Sequence, residues 1–232
     1  MIKRILVALS GTPCTQSAIA HGVELAKQHN AELTGVTVID PNRLQDVGPI
    51  PIGGAAAAHE LAEHRMQLAS EHIEESIGQF EKACGDAGVT SRILKETGDS
   101  AERLLADWRY HDLTVIGLRG LFEYGVLHDH GHLVLDVIGA GLRTLLAVSE
   151  AYRPIQSAMV AYDGSPLAAR AMKAFCMLDI WNPMPVTVAC FKGHNEEADT
   201  LLSDAAAYLE SHAFATTKKI IEEKPRTAIL ET

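Results

Sequence analysis

Apolar positions along the first 150 residues follow two different periods. Short runs predicted as strands occupy residues 2–9, 31–40, 89–98, 113–117 and 143–150, and the β-branched and aliphatic run at 2–9 is typical of a buried parallel strand. Between these runs, apolar residues recur at helical spacing over residues 14–30, 60–87, 99–112 and 132–141. Because strands and helices alternate, the pattern predicts an α/β fold with a five-stranded parallel sheet flanked by helices.

Local signals set the expected ends of these elements. Gly85 and Gly88 predict the end of the long helix, and Asp99 or Ser100 is the expected N-cap of the next one. The Pro- and Gly-rich stretch 41–58 predicts a long loop.

The chain then repeats its opening. The segment "ILVALSGTP" (5–13) recurs as "AMVAYDGSP" (158–166), with the Val-Ala pair, the glycine and the proline in the same places. This repeat predicts two tandem units of one kind, over residues 1–150 and 151–232. The second unit contains only the first part of the pattern. We therefore expect it to be incomplete, either because the sequence ends early or because it is a half-unit that leans on the first unit or on another chain.

Composition and charge narrow the class of protein. The 232 residues are 47% hydrophobic and 22% charged, as in soluble globular proteins. A net charge of −10 argues against a nucleic-acid partner. No apolar run approaches the roughly 20 residues of a membrane span, and no leader pattern opens the chain. The four cysteines are dispersed, which is typical of a reducing compartment, so we expect a cytoplasmic protein.

Several segments, taken together, resemble the universal stress protein family in its tandem form. They are the first strand–helix–strand unit (5–40), the long second helix, "GDSAERLLAD", "LTVIGLRG" and the restart "AMVAYDGSPLAARAM". The resemblance implies an adenine nucleotide α-hydrolase-like fold, a homodimer and, in one branch of the family, ATP or AMP binding. It also implies a regulatory binding module in the stress response rather than a turnover enzyme, with slow ATP hydrolysis as the most that we expect.

The nucleotide-binding branch of that family has an Asp after the first strand and a G-x₂-G-x₉-G-(S/T) loop after the fourth. Here Ser10 stands in place of the Asp, His130 in place of the third glycine and His132 in place of the Ser or Thr. Val38 lies where the family contacts adenine through its backbone. The resemblance therefore implies a set of cofactor-binding candidates split between the two units: Ser10, Gly11, Val38, Gly117, Arg119, Gly120, Gly131, His132 and Asp163.

These departures remove groups that would bind a nucleotide. Glycine N–H groups beside a helix N-terminus can hold phosphate, and Gly117 and Gly120 keep that capacity. Losing the carboxylate and the hydroxyl would weaken binding by about 100-fold or more. Two interpretations stay open: a protein that binds nucleotide in its first unit, and a degenerate member that acts only through protein contacts.

Three alternating histidines in the same loop allow a third interpretation. His128, His130 and His132 could form a metal site or a pH sensor, since imidazole clusters suit zinc, nickel or copper. A solvated loop is the simpler explanation, because a short His-rich tract is only compositional evidence and a metal is not expected. Asp163 and Ser165 in "DGSP" predict an Asx turn or N-cap rather than a nucleophile.

Overall fold

The computed structural model describes residues 2–126, 132–140, 144–181, 183–191 and 196–223, with His132 described by its backbone only. Its elements are, in chain order, β1 (Arg4–Ala8), α1 (Thr15–His29), β2 (Glu32–Ile39), α2 (Pro41–Gln45), α3 (Ala55–Ala87), β3 (Ser91–Thr97), α4 (Ser100–Trp108), β4 (Leu113–Gly117), α5 (His132–Ala140), β5 (Thr144–Val148), β6 (Ala158–Ala161), α6 (Pro166–Leu178), β7 (Pro185–Cys190), α7 (Glu196–Ser211) and β8 (Ala215–Ile220). The chain divides into two compact units, residues 2–153 and the part from Pro154 onward.

The first unit is built on a parallel five-stranded sheet in the order β3-β2-β1-β4-β5. β1 lies at the centre, and Val7 pairs with Gly35 on one side and Val115 on the other. The aliphatic run of β1 is needed because both faces of this strand are covered. The predicted fold class, a five-stranded parallel sheet flanked by helices, is confirmed.

The strand order determines where a ligand site can lie. The crossovers through α1 and α3 run from β1 toward β3, whereas those through α4 and α5 run toward β5. Because such crossovers are right-handed, the two pairs of helices cover opposite faces of the sheet. Consistently, α1 packs against α3 and α4 against α5. The direction changes between β1 and β4, where a crevice opens at the carboxyl ends of the strands.

The predicted loop over residues 41–58 was wrong in part, because it contains α2 and the start of α3. Asp40 caps α2 by accepting a hydrogen bond from the Arg43 amide at 3.2 Å, and Pro41 occupies the first helical turn. The helix cap and the helix end predicted elsewhere are confirmed. Asp99 caps α4, and α3 ends at Gly88 in the left-handed conformation.

The second unit is a smaller parallel sheet in the order β6-β7-β8. A separate core forms where α6 and α7 pack on this sheet, around Met172, Cys176, Val188, Leu202 and Leu209. That this unit is a tandem copy of the first stays a prediction. In both described units, each helix is either too short or too polar to span a lipid bilayer.

Candidate functional site

Four of the candidates in the first unit lie at the end of the sheet where the crevice between β1 and β4 opens. Ser10 and Gly11 follow β1, Gly117 ends β4, and Val38 lies near the end of neighbouring β2. All four are at the carboxyl edge of the sheet, the edge at which open α/β sheets bind ligands.

Tyr124, which the sequence interpretation did not single out, lies at this edge of the sheet, against Val38 of β2 and the turn after β1. Its phenol accepts a hydrogen bond from the Val38 amide at 3.0 Å and donates one to the Val38 carbonyl at 3.1 Å. Its own amide donates to the Ser10 carbonyl at 3.1 Å. Its carbonyl contacts Nδ1 of His72 from α3. Tyr124 therefore joins β1, β2 and α3 through one residue.

The surroundings of the phenol keep it neutral. Tyr124 is 1% exposed, and burial raises its pKa well above the usual value for tyrosine. A neutral phenol has one proton to donate and lone pairs to accept, so it can satisfy both backbone groups of Val38 at once.

The ring of Tyr124 also covers Gly11. A Cβ at Gly11 would lie 2.7 Å from Cδ1 and 2.9 Å from Cα of Tyr124, and the Gly11 φ angle is +61°. A side chain at this position would therefore collide with the ring and strain the backbone. Only glycine allows the tyrosine to approach the turn after β1 this closely.

The segment that carries Tyr124 is held in an uncommon backbone conformation. Phe122 and Tyr124 have positive φ angles of 54° and 49°. Such angles cost about 1–3 kcal/mol for a residue other than glycine. Leu121 and Phe122 are 0% and 2% exposed, so burial of their side chains offsets this cost.

The two glycines expected to hold phosphate are covered by side chains of the same unit. A Cβ at Gly117 would lie 2.6 Å from Cβ of Cys14 and 3.6 Å from Oγ1 of Thr12. At Gly120, whose φ angle is +71°, a Cβ would overlap the Glu123 carboxylate. A carboxylate beside Gly120 repels phosphate, because like charges disfavour each other at short range.

Two positions that the resemblance assigns to an adenine nucleotide are therefore occupied by side chains of the same unit. Both hydrogen-bonding groups of the Val38 backbone are used by Tyr124, and Glu123 lies where the resemblance places phosphate. Two buried hydroxyl oxygens nearby, Oγ of Ser10 and Oγ1 of Thr12, have no hydrogen-bond partner among the residues that the structure describes.

A cleft of about 690 Å³ opens beside Tyr124, between the start of α1 and the middle of α3. Its lining is mostly polar, and two of the lining residues, Glu75 and Glu150, have carboxylate side chains. The lining also includes Gly11, Thr12, Gln16 and His72. The carboxylates make it a poor site for a polyphosphate.

The remaining candidates lie elsewhere. Arg119 is exposed in the loop after β4. Asp163 belongs to the second unit, where its Oδ1 accepts from the Ser165 amide at 2.8 Å and Ser165 caps α6, as expected for an Asx turn with an N-cap. Gly131, His128 and His130 lie outside the described residues, as does the side chain of His132, which begins α5. Within the described residues, no three His, Cys, Asp or Glu side chains are grouped as metal ligands.

One signal in the sequence could have revealed Tyr124. The loop read as an open phosphate cradle contains "LFEY" (121–124), and three of those four residues are large and apolar or aromatic. A cradle for phosphate needs small residues, whereas this composition favours a segment that packs inward. Its partner, Val38, is 86 positions away, so sequence alone could not identify the contact.

The comparisons with known proteins agree with the fold. A family model described as "Universal stress protein family" matches residues 1–134. The structure is similar to a universal stress protein from Archaeoglobus fulgidus, with a TM-score of 0.62 and 16% identity over 98% of this chain and 80% of that one. A universal stress protein solved in complex with cAMP matches with a TM-score of 0.41 and 16% identity, over 65% of this chain and 98% of that one. No curated protein matches the chain significantly in sequence.

Proposed function

We propose that this chain, which belongs to the universal stress protein family, is a regulatory binding module that works without an adenine nucleotide. Its first unit fills the expected nucleotide position with its own Tyr124 and Glu123. The protein would act through contacts with other proteins, in the cytoplasm, where its four buried cysteines would remain free thiols.

The observation that carries the proposal is the pair of hydrogen bonds between the Tyr124 phenol and the Val38 backbone. Adenine would have to displace a fully buried tyrosine to reach the Val38 amide and carbonyl. Removing a buried aromatic side chain from its contacts costs about 3–5 kcal/mol, which is comparable with the binding free energy of a weak ligand.

Electrostatics supports the same conclusion at the other end of the site. Ser10 supplies no carboxylate for a ribose, and the Glu123 carboxylate lies against Gly120. Each charged hydrogen bond that is lost or replaced by repulsion weakens binding by roughly 1.5–3 kcal/mol.

Binding of ATP or AMP in this unit is the second candidate function, and the unpartnered oxygens of Ser10 and Thr12 favour it. A ligand hydroxyl could satisfy them once Tyr124 has moved away. The positive φ angles of Phe122 and Tyr124 would lower the cost of that movement. Ser10, Gly11, Val38, Gly117, Arg119 and Gly120 would then line the site.

Calorimetric titration of the full chain with ATP and with AMP separates the two functions. We expect no binding by the wild type at nucleotide concentrations up to about 1 mM. The Tyr124→Ala variant opens the position beside Val38, and Tyr124→Phe is the matched control that keeps the ring but removes the phenol oxygen. Circular dichroism of each variant verifies that the fold is retained.

A wild-type dissociation constant in the micromolar range would contradict the proposal and establish the second candidate. Binding gained by Tyr124→Ala but not by Tyr124→Phe would attribute the block to the bulk of the tyrosine ring. Gain in both variants would attribute it to the two hydrogen bonds with Val38.

A further inference from the structure

The first strands of the two units differ in how they are covered. In the first unit, β1 lies between β2 and β4, and its last four residues are buried. The strand that corresponds to it in the repeat, β6, pairs only with β7 among the strands that the structure describes. The residues of β6 are half-buried or exposed. Within that part of the chain, one side of β6 therefore has the character of an edge strand, which can pair with an added strand.

In the first unit, one face of the helix after β1 is covered from the β4 side of the sheet. Helix α1 packs on both β1 and β4. Cys14, just before α1, packs against Gly117 at the end of β4, and the ring of His21 contacts that of Tyr152, which follows β5. Ala18 lies on the same face of the helix and is 0% exposed. This face of α1 is therefore buried by β4 and by the residue that follows β5.

In the second unit, the corresponding helix face is exposed. The repeat, in which the "SGTP" turn aligns with "DGSP", places four residues of α6 on this face, namely Leu167, Arg170, Ala171 and Ala174. Leu167 is 73% exposed, and the other three are also exposed. The opposite face of α6, which includes Cys176, packs on the core of the unit. We call β6 and these four exposed residues the open edge.

A second copy of β6 does not fit at the open edge. A two-fold axis perpendicular to the sheet would relate two antiparallel β6 strands, so both α6 helices would lie on the same face. In the first unit, α1 packs on β1 and on β4, so a helix in this position extends over the neighbouring strand. Neighbouring strands are about 4.8 Å apart, whereas packed helices need about 8–10 Å between their axes. The two helices would overlap, and the occupant has to be an extended segment without such a helix.

The first unit also indicates which side chains such a segment needs. Its β4 comprises five residues, Leu113–Gly117, and all of them are buried. Gly117 leaves space for Cys14, and the larger Leu167 takes the corresponding place on α6. A short aliphatic segment that ends in glycine therefore matches the open edge in length and shape.

Charge adds a further requirement. The chain carries a net charge of −10, yet the charged residues of α6 are Arg170 and Lys173, both positive. Arg170 lies on the open edge, at the position where the first unit has the buried Ser17. A guanidinium at this position favours a partner with carboxylate side chains, because charge-assisted hydrogen bonds between the two groups are strong.

We propose that the open edge binds an extended aliphatic segment of another protein, flanked by acidic residues, which adds to β6 as a fourth strand and packs against the exposed face of α6. The acidic flanks pair with Arg170. The inference goes beyond the proposed function, because it names a surface in the second unit and the chemistry of its partner. It holds whether or not the first unit binds a nucleotide.

Fluorescence anisotropy of a labelled peptide, EELTVIGEE, titrated with the full chain tests the proposal. The peptide carries the β4 sequence between acidic pairs, and we expect a dissociation constant of about 0.1 mM or tighter. The control peptide EELTPPGEE has two adjacent prolines. Of two adjacent residues in a strand, one N–H group points toward a given neighbour, so this peptide loses a strand-pairing bond in either register. It should bind at least about 10-fold more weakly.

Two variants test the helix face and its charge. Leu167→Asp should weaken binding of EELTVIGEE by about 10-fold or more. Arg170→Glu should also weaken it, and this variant should prefer the basic peptide KKLTVIGKK. Leu135→Asp and Arg109→Glu are the matched controls in the first unit, where Leu135 is 66% exposed and Arg109 is also exposed. They should leave the affinity unchanged. All four positions are exposed, so none of the variants should unfold.

Several results would overturn the proposal. They are no binding of EELTVIGEE at up to about 1 mM of the chain, equal binding of the proline peptide, and an affinity that Leu167→Asp and Arg170→Glu leave unchanged. If Leu167→Asp altered self-association in analytical ultracentrifugation but not peptide affinity, the open edge would belong to a second copy. Binding of ATP or AMP by the first unit would contradict only the proposed function, so the two failures are distinguishable.

Discussion

The two units contain nearly the same turn after their first strands, and the structure uses it in two ways. In the first unit, Ser10 is buried, and the following glycine packs against Tyr124. In the second unit, Asp163 is exposed and accepts a hydrogen bond from the Ser165 amide. Both glycines have positive φ angles, and in both units a helix follows the turn.

Comparing the two units shows which effects of the turn come from neighbouring residues and which depend on residues far away in the sequence. The glycine permits the turn in both units, because that effect needs only neighbouring residues, whereas the proline occupies the first turn of the following helix only in the second unit, where Pro166 follows the N-cap Ser165. Whether the turn can receive a ligand depends on a segment more than 100 positions away in the first unit, where Tyr124 covers it. A shared turn motif therefore predicts the start of a helix but not a ligand.

Replacing the two glycines gives the largest contrast. Gly11→Ala should destabilise the first unit by about 2–5 kcal/mol, because it combines a left-handed backbone angle with a collision against the Tyr124 backbone. Gly164→Ala should cost only about 1–2 kcal/mol, because its new Cβ would meet the movable end of Leu201 at 2.8 Å. Urea unfolding of both variants measures the difference, and equal effects would refute the contrast.

Removing the phenol oxygen isolates the bonds to Val38. Tyr124→Phe should lower the free energy of unfolding by about 1–3 kcal/mol, because the Val38 amide and carbonyl lose their partner while buried. Tyr208→Phe in the second unit is the matched control. The free energy of unfolding is measured in urea. If Tyr124→Phe leaves it unchanged, the phenol does not hold the segment in place.

Acidification should affect the first unit through two buried histidines, His111 and His21. Burial lowers the pKa of both below 6.5; the Asp107 carbonyl opposes this shift at His111, and Glu24 opposes it at His21. The unfolded chain therefore takes up protons first, so stability is complete above about pH 6.5 and falls as the pH drops toward the folded pKa values. His111→Gln should flatten the dependence of the urea midpoint on pH, and an unchanged slope would exclude His111 as a cause.

The helix starts give the smallest difference. Ser165 caps α6 through a hydrogen bond from the Ala168 amide at 3.2 Å, whereas α1 has no side-chain hydrogen bond from its N-cap residue, Cys14. Ser165→Ala should lower the free energy of unfolding by about 1 kcal/mol, because the capping hydrogen bond is lost. Cys14→Ser should not change the free energy of unfolding by a comparable amount through capping of α1. Thermal unfolding of the two variants measures these effects. An unchanged melting temperature for Ser165→Ala would contradict the expected difference.

The elements that the sequence predicted are those with local causes. The aliphatic run of β4 predicted the strand 113–117 as it is found, and Asp99 predicted the start of α4. Helix α2 was missed because the Pro- and Gly-rich stretch was interpreted by composition, although Asp40 followed by a proline is itself a signal for a helix start.

The candidate site was less predictable because its state depends on contacts between distant residues. Ser10, Gly11, Val38 and Gly117 lie at one edge of the sheet, where the carboxyl ends of parallel strands meet, but their role as site residues stays a prediction. Their occupation by Tyr124 follows from packing of the loop after β4, which has no periodic pattern to read.

The most direct test of the account is an NMR titration of the full chain with AMP that follows the amide signals of Val38 and Tyr124. Because the Val38 amide already donates to the Tyr124 phenol, we expect both signals to stay unchanged up to about 1 mM nucleotide. A saturable shift of the Val38 signal, accompanied by loss of the Tyr124 contacts, would contradict the account and establish the first unit as a nucleotide site.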